Sequence, residues 1–284
     1  MRIANVAGRL SLVDVGGMLD VEKASDGRFS SDPSAVYARW DEFREWADSA
    51  PPPDRPLDAA PLGPPSAAPR QVFATALNYA AHASEGGHEV PAAPLMFTKF
   101  PTCLVGAYDE VTIDSQHVDW EVELVVVIGR EAYKVPESSA WSHVAGVTVG
   151  QDISDRKVQH MGSPPQFSMG KSFPGFGPTG PWLVTPDELS DPDDLEISCS
   201  IDGEMVQKSR TSMMIFSVPE LIAHISGVCP LTPGDLIFTG TPEGVGARAR
   251  PPRFLRAGNV VTSRISDIGE MRNAIVAASP SHAG

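Results

Sequence analysis

The sequence predicts an α+β protein in which strands dominate and helices are short. Two observations carry that expectation. Short runs of β-branched and apolar residues recur along the chain, punctuated by Gly, Pro and Asp-Gly. Long helical spacing of apolar residues is confined to Pro33–Asp48 and Ser217–Gly227.

The totals bound the function. A chain of 284 residues with 42% hydrophobic and 20% charged content is an ordinary globular protein. Its net charge of −14 excludes nucleic-acid binding through general electrostatic attraction, and an anionic substrate needs a local basic pocket. Cys103, Cys199 and Cys229 are odd in number and widely spaced, which predicts free thiols in a reducing compartment. No window approaches 18 apolar residues and no apolar leader opens the chain, so a cytoplasmic protein without a membrane span is expected.

In order along the chain, Met1–Val6 and Leu10–Val15 read as strands split at Gly8, with Gly16-Gly17 as a further turn. Pro33–Asp48 reads as a helix with Val36, Trp40, Phe43 and Trp46 as core residues. Ala50–Arg70 is too rich in Pro for a ladder or helix. It predicts a boundary between a small N-terminal domain, 1–68, and a catalytic domain, 69–284. Val72–Leu77 is a strand leading to His82 and Glu85, which share one face of a helical turn. A carboxylate beside His makes a general base, and Gly86-Gly87 suits a mobile lid; a surface pair without catalytic duty has the same spacing. Met96–Phe100 is an apolar strand whose Lys99 faces either an anionic ligand or water. Cys103–Asp114 reads as a strand pair.

Asp119-Trp120-Glu121-Val122-Glu123 then opens a buried strand ending at Gly129. Side chains alternate along a strand, so Asp119, Glu121 and Glu123 share one face. Carboxylates that close repel one another unless a hard divalent cation sits among them or water solvates them. Val144–Val149 is a further strand, and Asp152 at its end is a third candidate ligand. Asp152, Arg156 and Gln159 fall on one face of a helical turn, though Asp152 also suits a helix cap. Met161–Pro181 reads as irregular. Gly170-Lys171-Ser172 lacks the upstream Gly of a phosphate loop, because Pro165 stands there, but Lys171 suits an oxyanion. Leu195–Ile201 and Glu204–Lys208 form a hairpin about Asp202-Gly203. Leu236–Thr239 is a strand ending in the Gly-rich segment Gly240–Gly246, whose backbone can approach a ligand. Phe254–Val260 and Val261–Ile268 read as a last strand pair, with a frayed tail after Ala277.

Together these segments resemble the fumarylacetoacetate hydrolase family over roughly residues 71–273. The resemblance rests on Asn78–His82, Asp119–Leu124, Asp152–Arg156, Gly170–Phe173, Gly180–Trp182, Pro233–Asp235 and Gly240–Gly246. It implies a rolled, layered mixed sheet behind a small N-terminal domain, and a homodimer. It implies that Glu121, Glu123 and Asp152 hold Mg²⁺ or Mn²⁺, that His82 and Glu85 activate water, and that Lys171 serves the oxyanion. It implies that Arg156, Gln159 and Thr241 touch substrate, and Lys99 joins them as a candidate. Ala76, Pro174 and Asn259 depart from the usual pattern, as does the basic, Pro-rich segment 247–253. The ligand set is spared.

The leading expectation is hydrolysis of a carbon–carbon bond in a β-diketo acid of the acylpyruvate or fumarylpyruvate type. The alternative is decarboxylation of an oxaloacetate-type acid, or proton transfer in an isomerase or hydratase of aromatic catabolism. A non-catalytic binding protein would have lost a ligand or the dyad, and all are present.

Overall fold

The computed structural model describes residues 1–14, 16–57 and 61–278. Among these residues two large sheets pack against each other, and Val118–Asp119 pairs with Ser154–Asp155 as a separate two-stranded ribbon. The path of the larger, eleven-stranded sheet runs Gly17–Asp20, Arg9–Asp14, Arg2–Val6, Gly177–Val184, Val144–Gln151, Val122–Ile128, Leu236–Phe238, Val72–Ala76 and Leu95–Thr98. The smaller has five strands, ordered Glu204–Arg210, Glu196–Ile201, Val260–Ile265, Gly269–Ala277 and Val111–Ile113. Helices are short; the longest, Val218–Ser226, starts at a capping box in which Ser217 and Glu220 satisfy each other's backbone N–H.

Val122–Ile128 organises the interior. All seven of its residues are buried, so it reads as a continuous apolar run broken only by Glu123. Val122, Leu124, Val126 and Ile128 face the smaller sheet and pack with Ile197, Cys199 and Val261. Val125 and Val127 face the other way, into a core with Tyr37, Trp40 and Phe43. Glu123 shares that second face. The N-terminal segment therefore covers one end of the face, and the site lies at the other. The Trp40 and Phe43 rings lie 5.7 Å apart, and Phe29 meets Phe43 edge-on at 5.4 Å. Burying each such ring contributes roughly 1.5–3 kcal/mol.

Several expectations are corrected by tertiary pairing. From the expected N-terminal domain, Arg2–Val6 hydrogen-bonds to Gly177–Val184 in the larger sheet, and Leu62–Gly63 pairs back onto Arg2–Val6. Pro33–Asp48 divides into a 3-10 turn, Ala35–Arg39, and a helix, Trp40–Ala47. Leu104–Val105 and Val111–Ile113 do not pair with each other; they join Gly177–Val184 and Gly269–Ala277 respectively. Met161–Pro181 holds a helical turn, Phe167–Gly170, and the start of strand Gly177–Val184. Small residues there allow close backbone approach, and strand neighbours on both sides outweigh poor intrinsic propensity. The last pair falls at Val260–Ile265 and Gly269–Ala277. Asn259 Oδ1 accepts the Arg256 N–H at 2.8 Å, closing a turn where a strand was expected. Asp155, not Asp152, caps the helix Arg156–Gln159, accepting from the N–H groups of Lys157 and Val158. The Val15 end of the second strand and the tail from 279 onward lie outside the described residues.

Candidate active site

The acidic strand reaches the site where its ladder runs out. Glu121 and Val122 find side-chain amides there in place of backbone partners. Gln151 Oε1 accepts the Glu121 N–H at 2.9 Å, and Gln207 Oε1 accepts the Val122 N–H at 3.0 Å. The Asp152 N–H donates to the Glu121 carbonyl at 2.9 Å, which ties the two acidic segments together. As a result Glu121, Glu123 and Asp152 each offer an oxygen within 4.8 Å of the others, and all three are buried. Asp119 stands apart from the three. It accepts from Arg156, from the Gly246 N–H at 2.7 Å and from the Ala247 N–H at 2.8 Å.

Cations offset most of this charge. Lys171 Nζ donates to Glu121 Oε2 at 2.7 Å and also to Asp152 Oδ2. Lys99 Nζ donates to Asp152 Oδ1 at 2.7 Å, to the Phe176 carbonyl at 3.1 Å and to the Lys171 carbonyl. Arg156 lies 2.7 Å from Glu121 Oε1, grips Asp119 Oδ2 through Nε and Nη2, and donates to Gln159 Oε1 at 2.9 Å. Four carboxylates thus face three cations, and one negative charge is left over. Burial favours the neutral form of Glu121, but Lys171 and Arg156 outweigh it and hold its carboxyl well below the usual range. Glu123 has no ion pair among the described residues. Burial, then Asp152 and Glu121, push it well above the usual range, and the Gly240 N–H at 2.7 Å offsets only part of that. Gly240 sits at φ 98°, and a Cβ there would meet the Asn78 Cβ at 2.6 Å, so only glycine brings this donor to Glu123. A buried all-oxygen set with one uncompensated carboxylate fits a hard divalent cation.

A cavity of about 790 Å³ opens above this floor. Glu121, Lys171, Arg156, Gln159, Thr241 and His82 line it. Glu123 and Asp152 lie behind that wall. His82 and Glu85 ride on the helix Ala80–Glu85, with His82 Nδ1 3.4 Å from Glu85 Oε2. Both Glu85 oxygens accept the Gly244 N–H at 3.2 Å, which ties this helix to the Gly-rich loop. Thr241 Oγ1 is already engaged: it donates to the Val122 carbonyl at 2.9 Å and accepts from Gln207 at 2.8 Å.

Lys99 is the site residue the structure places differently from expectation. It is 1% exposed and lies behind Asp152 rather than on the cavity wall. The strand Leu95–Thr98 ends just before it, and its ammonium has three buried acceptors, so it supports Asp152 and does not face a ligand. Sequence reasoning missed Gln151 and Gln207. Gln207 is buried between the half-buried Val206 and the exposed Lys208 in a strand rich in polar residues, and nothing in the sequence marks it. His88, His160 and Gln166 also line the cavity and were not anticipated, and Arg248 brings the basic segment 247–253 to the same wall.

This arrangement defines a buried acidic site that fits a divalent cation, on a layered β fold. The family model for the fumarylacetoacetate (FAA) hydrolase C-terminal domain matches residues 71–276, and the chain belongs to that family. The human oxaloacetate tautomerase FAHD2A, mitochondrial, is 43% identical over 210 residues, covering 73% of this chain and 67% of that one. A Mycobacterium smegmatis crystal structure described provisionally as HpcE is 50% identical, with a TM-score of 0.95 over 98% of this chain and all of that one. Maleylpyruvate hydrolase from Sphingobium sp. SYK-6, solved with manganese(II) and pyruvate, is 26% identical, with a TM-score of 0.81 over 98% of this chain and 100% of that one. No helix among the described residues is long and apolar enough to cross a membrane.

Proposed function

We propose that this chain is a divalent-cation-dependent enzyme that moves a proton between the enol and keto forms of an oxaloacetate-type 2-oxo acid. The observation that carries the reading is the convergence, on one cavity, of a buried carboxylate set, Lys171 and the His82–Glu85 pair. The relatives named oxaloacetate tautomerase support it over the hydrolysis expected from the sequence. Mg²⁺ or Mn²⁺ held by Glu121, Glu123 and Asp152 would supply Lewis-acid polarisation of the acid's carboxylate and 2-oxo group.

The chain's own residues do the rest. Glu85 faces the Nδ1 edge of His82 and accepts its N–H, so the unprotonated Nε2 is the nitrogen that takes up the substrate's proton. Ketonisation moves one proton off the enol oxygen and places one on C3, and His82 is the carrier. Lys171, on the cavity floor beside Glu121, stabilises charge on the oxygen at C2 while the proton is in transit. Arg156 is saturated by Asp119, Glu121 and Gln159, so it fixes Glu121 rather than gripping substrate. The homodimer and the cytoplasmic location expected from the sequence remain part of this proposal.

Hydrolysis of an acylpyruvate is the second reading. The cavity is far larger than pyruvate requires, and Leu95, Met96, Phe97 and Phe167 give it an apolar side suited to an acyl chain. The test follows the enol absorbance of oxaloacetate by stopped flow, with CO₂ and pyruvate release measured in parallel on oxaloacetate and acylpyruvates. Accelerated ketonisation that falls about 100-fold or more in His82→Ala, with bound cation retained, supports the proposal. Acid and pyruvate from an acylpyruvate, with no accelerated ketonisation, overturns it in favour of hydrolysis.

A further inference from the structure

We propose that Arg248, with His88 and His160, forms an outer anion site that takes the second carboxylate of a 2-oxo dicarboxylic acid. The inference rests on the reading above and names the substrate class of that same cavity.

The inner cations are engaged. Lys171 serves Glu121 and Asp152, Lys99 serves Asp152, and Arg156 serves Asp119 and Glu121. Another carboxylate on the ligand has to find its partner further out. The segment 247–256 supplies four arginines, and the structure separates them. Arg253 pairs with Glu204 at 2.7 Å, and Arg256 donates to the carbonyls of Gln116 and Leu255. Arg250, exposed like Arg248, His88 and His160, is off the cavity wall. Arg248 is on the wall, its side chain is exposed, and among the described residues no side-chain hydrogen bond or ion pair engages its guanidinium.

Its backbone is fixed. Arg248 ends the 3-10 turn Gly246–Arg248, which Asp119 caps through the N–H groups of Gly246 and Ala247. The Arg253 N–H closes the other side onto the Gly246 carbonyl at 2.9 Å. The carboxylate that positions Arg156 therefore also presents Arg248, so inner and outer ends of the cavity are held by one group.

The local potential has the required sign. Burial lowers the basicity of His160, and the positive charges of Arg156, Arg248 and Lys171 lower it further. Glu121 is the one carboxylate among the described residues of the wall, and Lys171 and Arg156 already neutralise it. In a protein of net charge −14, such a patch is where an incoming dianion is concentrated. The cavity, about 790 Å³, leaves room for a ligand held at both ends.

The experiment is calorimetric binding to the Mn²⁺-loaded protein. Oxalate and pyruvate probe the inner end alone; 2-oxoglutarate and 2-oxoadipate carry a second carboxylate. Arg248→Met should weaken at least one of the dicarboxylates about tenfold or more while leaving oxalate and pyruvate within about twofold. Arg248→Lys should recover part of the loss, and Arg250→Met should change nothing. Unchanged dicarboxylate affinity in Arg248→Met overturns the outer site alone, as does an equal loss for oxalate. Failure of oxalate to bind the wild type overturns the inner-site reading and the outer site with it.

Discussion

Lys99→Met is the sharpest test of how the acidic cluster is held. The substitution keeps the length of the side chain and removes the charge, so cavity effects stay small. It takes from Asp152 a donor 2.7 Å away and leaves the carbonyls of Lys171 and Phe176 without theirs. Breaking a buried pair by removing one partner costs about 3–5 kcal/mol. At roughly 2 °C per kcal/mol for a chain of this size, the melting temperature should fall by about 6–10 °C. The pH dependence has a definite sign. Burial opposes the Lys99 charge, but Asp152 outweighs it and raises the group above its ordinary value. Such a contribution is complete below the unfolded lysine value, about 10.4, and is lost only as pH rises through the raised folded value. The deficit of Lys99→Met should therefore be constant across neutral pH. Urea unfolding at several pH values measures it, with substrate KM as the second readout. If stability stays within about 0.5 kcal/mol of wild type while KM rises, Lys99 faces the ligand and the packing described here is wrong.

Further outcomes follow from the same geometry. Glu123 carries a raised folded value because of burial and two neighbouring carboxylates, so the folded state binds the extra proton. Cation-free wild type should lose stability as pH rises from about 4.3 through that raised value, and Glu123→Gln should abolish the slope. Cation binding should release a proton and tighten with pH, which calorimetry in buffers of different ionisation enthalpy detects. Gly170→Ala places a Cβ 2.4 Å from the Gln159 backbone nitrogen and 2.9 Å from the Asp155 carbonyl oxygen. Denaturation should show a loss of about 1–3 kcal/mol, with a lower kcat because Lys171 is the next residue. Asp119→Asn should keep bound cation, measured by metal analysis, but lower kcat/KM about 10–100-fold, since it loosens Arg156 and the turn before Arg248 together.

Much of the site was legible because strand periodicity is short and local. Glu121 and Glu123 share a face whatever surrounds the strand, and His82 and Glu85 meet on any helical turn. The hairpin at Asp202-Gly203 was equally local: both residues sit at positive φ, 53° and 84°, as a tight hairpin turn requires. Gly177–Val184 was not legible, because its Gly and Pro content argues against a strand and only its neighbours make it one. The direction of Lys99 was not legible either, since an apolar strand says nothing about which acceptors lie beyond its end.

The sequence by itself determined the acidic strand, its partner Asp152 and the family of the chain, because these are patterns of residue type at fixed spacing. The tertiary structure alone decided how the charges are shared. It set Lys99 behind Asp152, gave Asp119 to Arg156 instead of to the carboxylate cluster, and left Glu123 uncompensated. Those outcomes depend on distances between segments far apart in the chain, 53 residues for Lys99 and Asp152 and 37 for Asp119 and Arg156, and in a buried site a few ångströms decide whether a charge is paired or available.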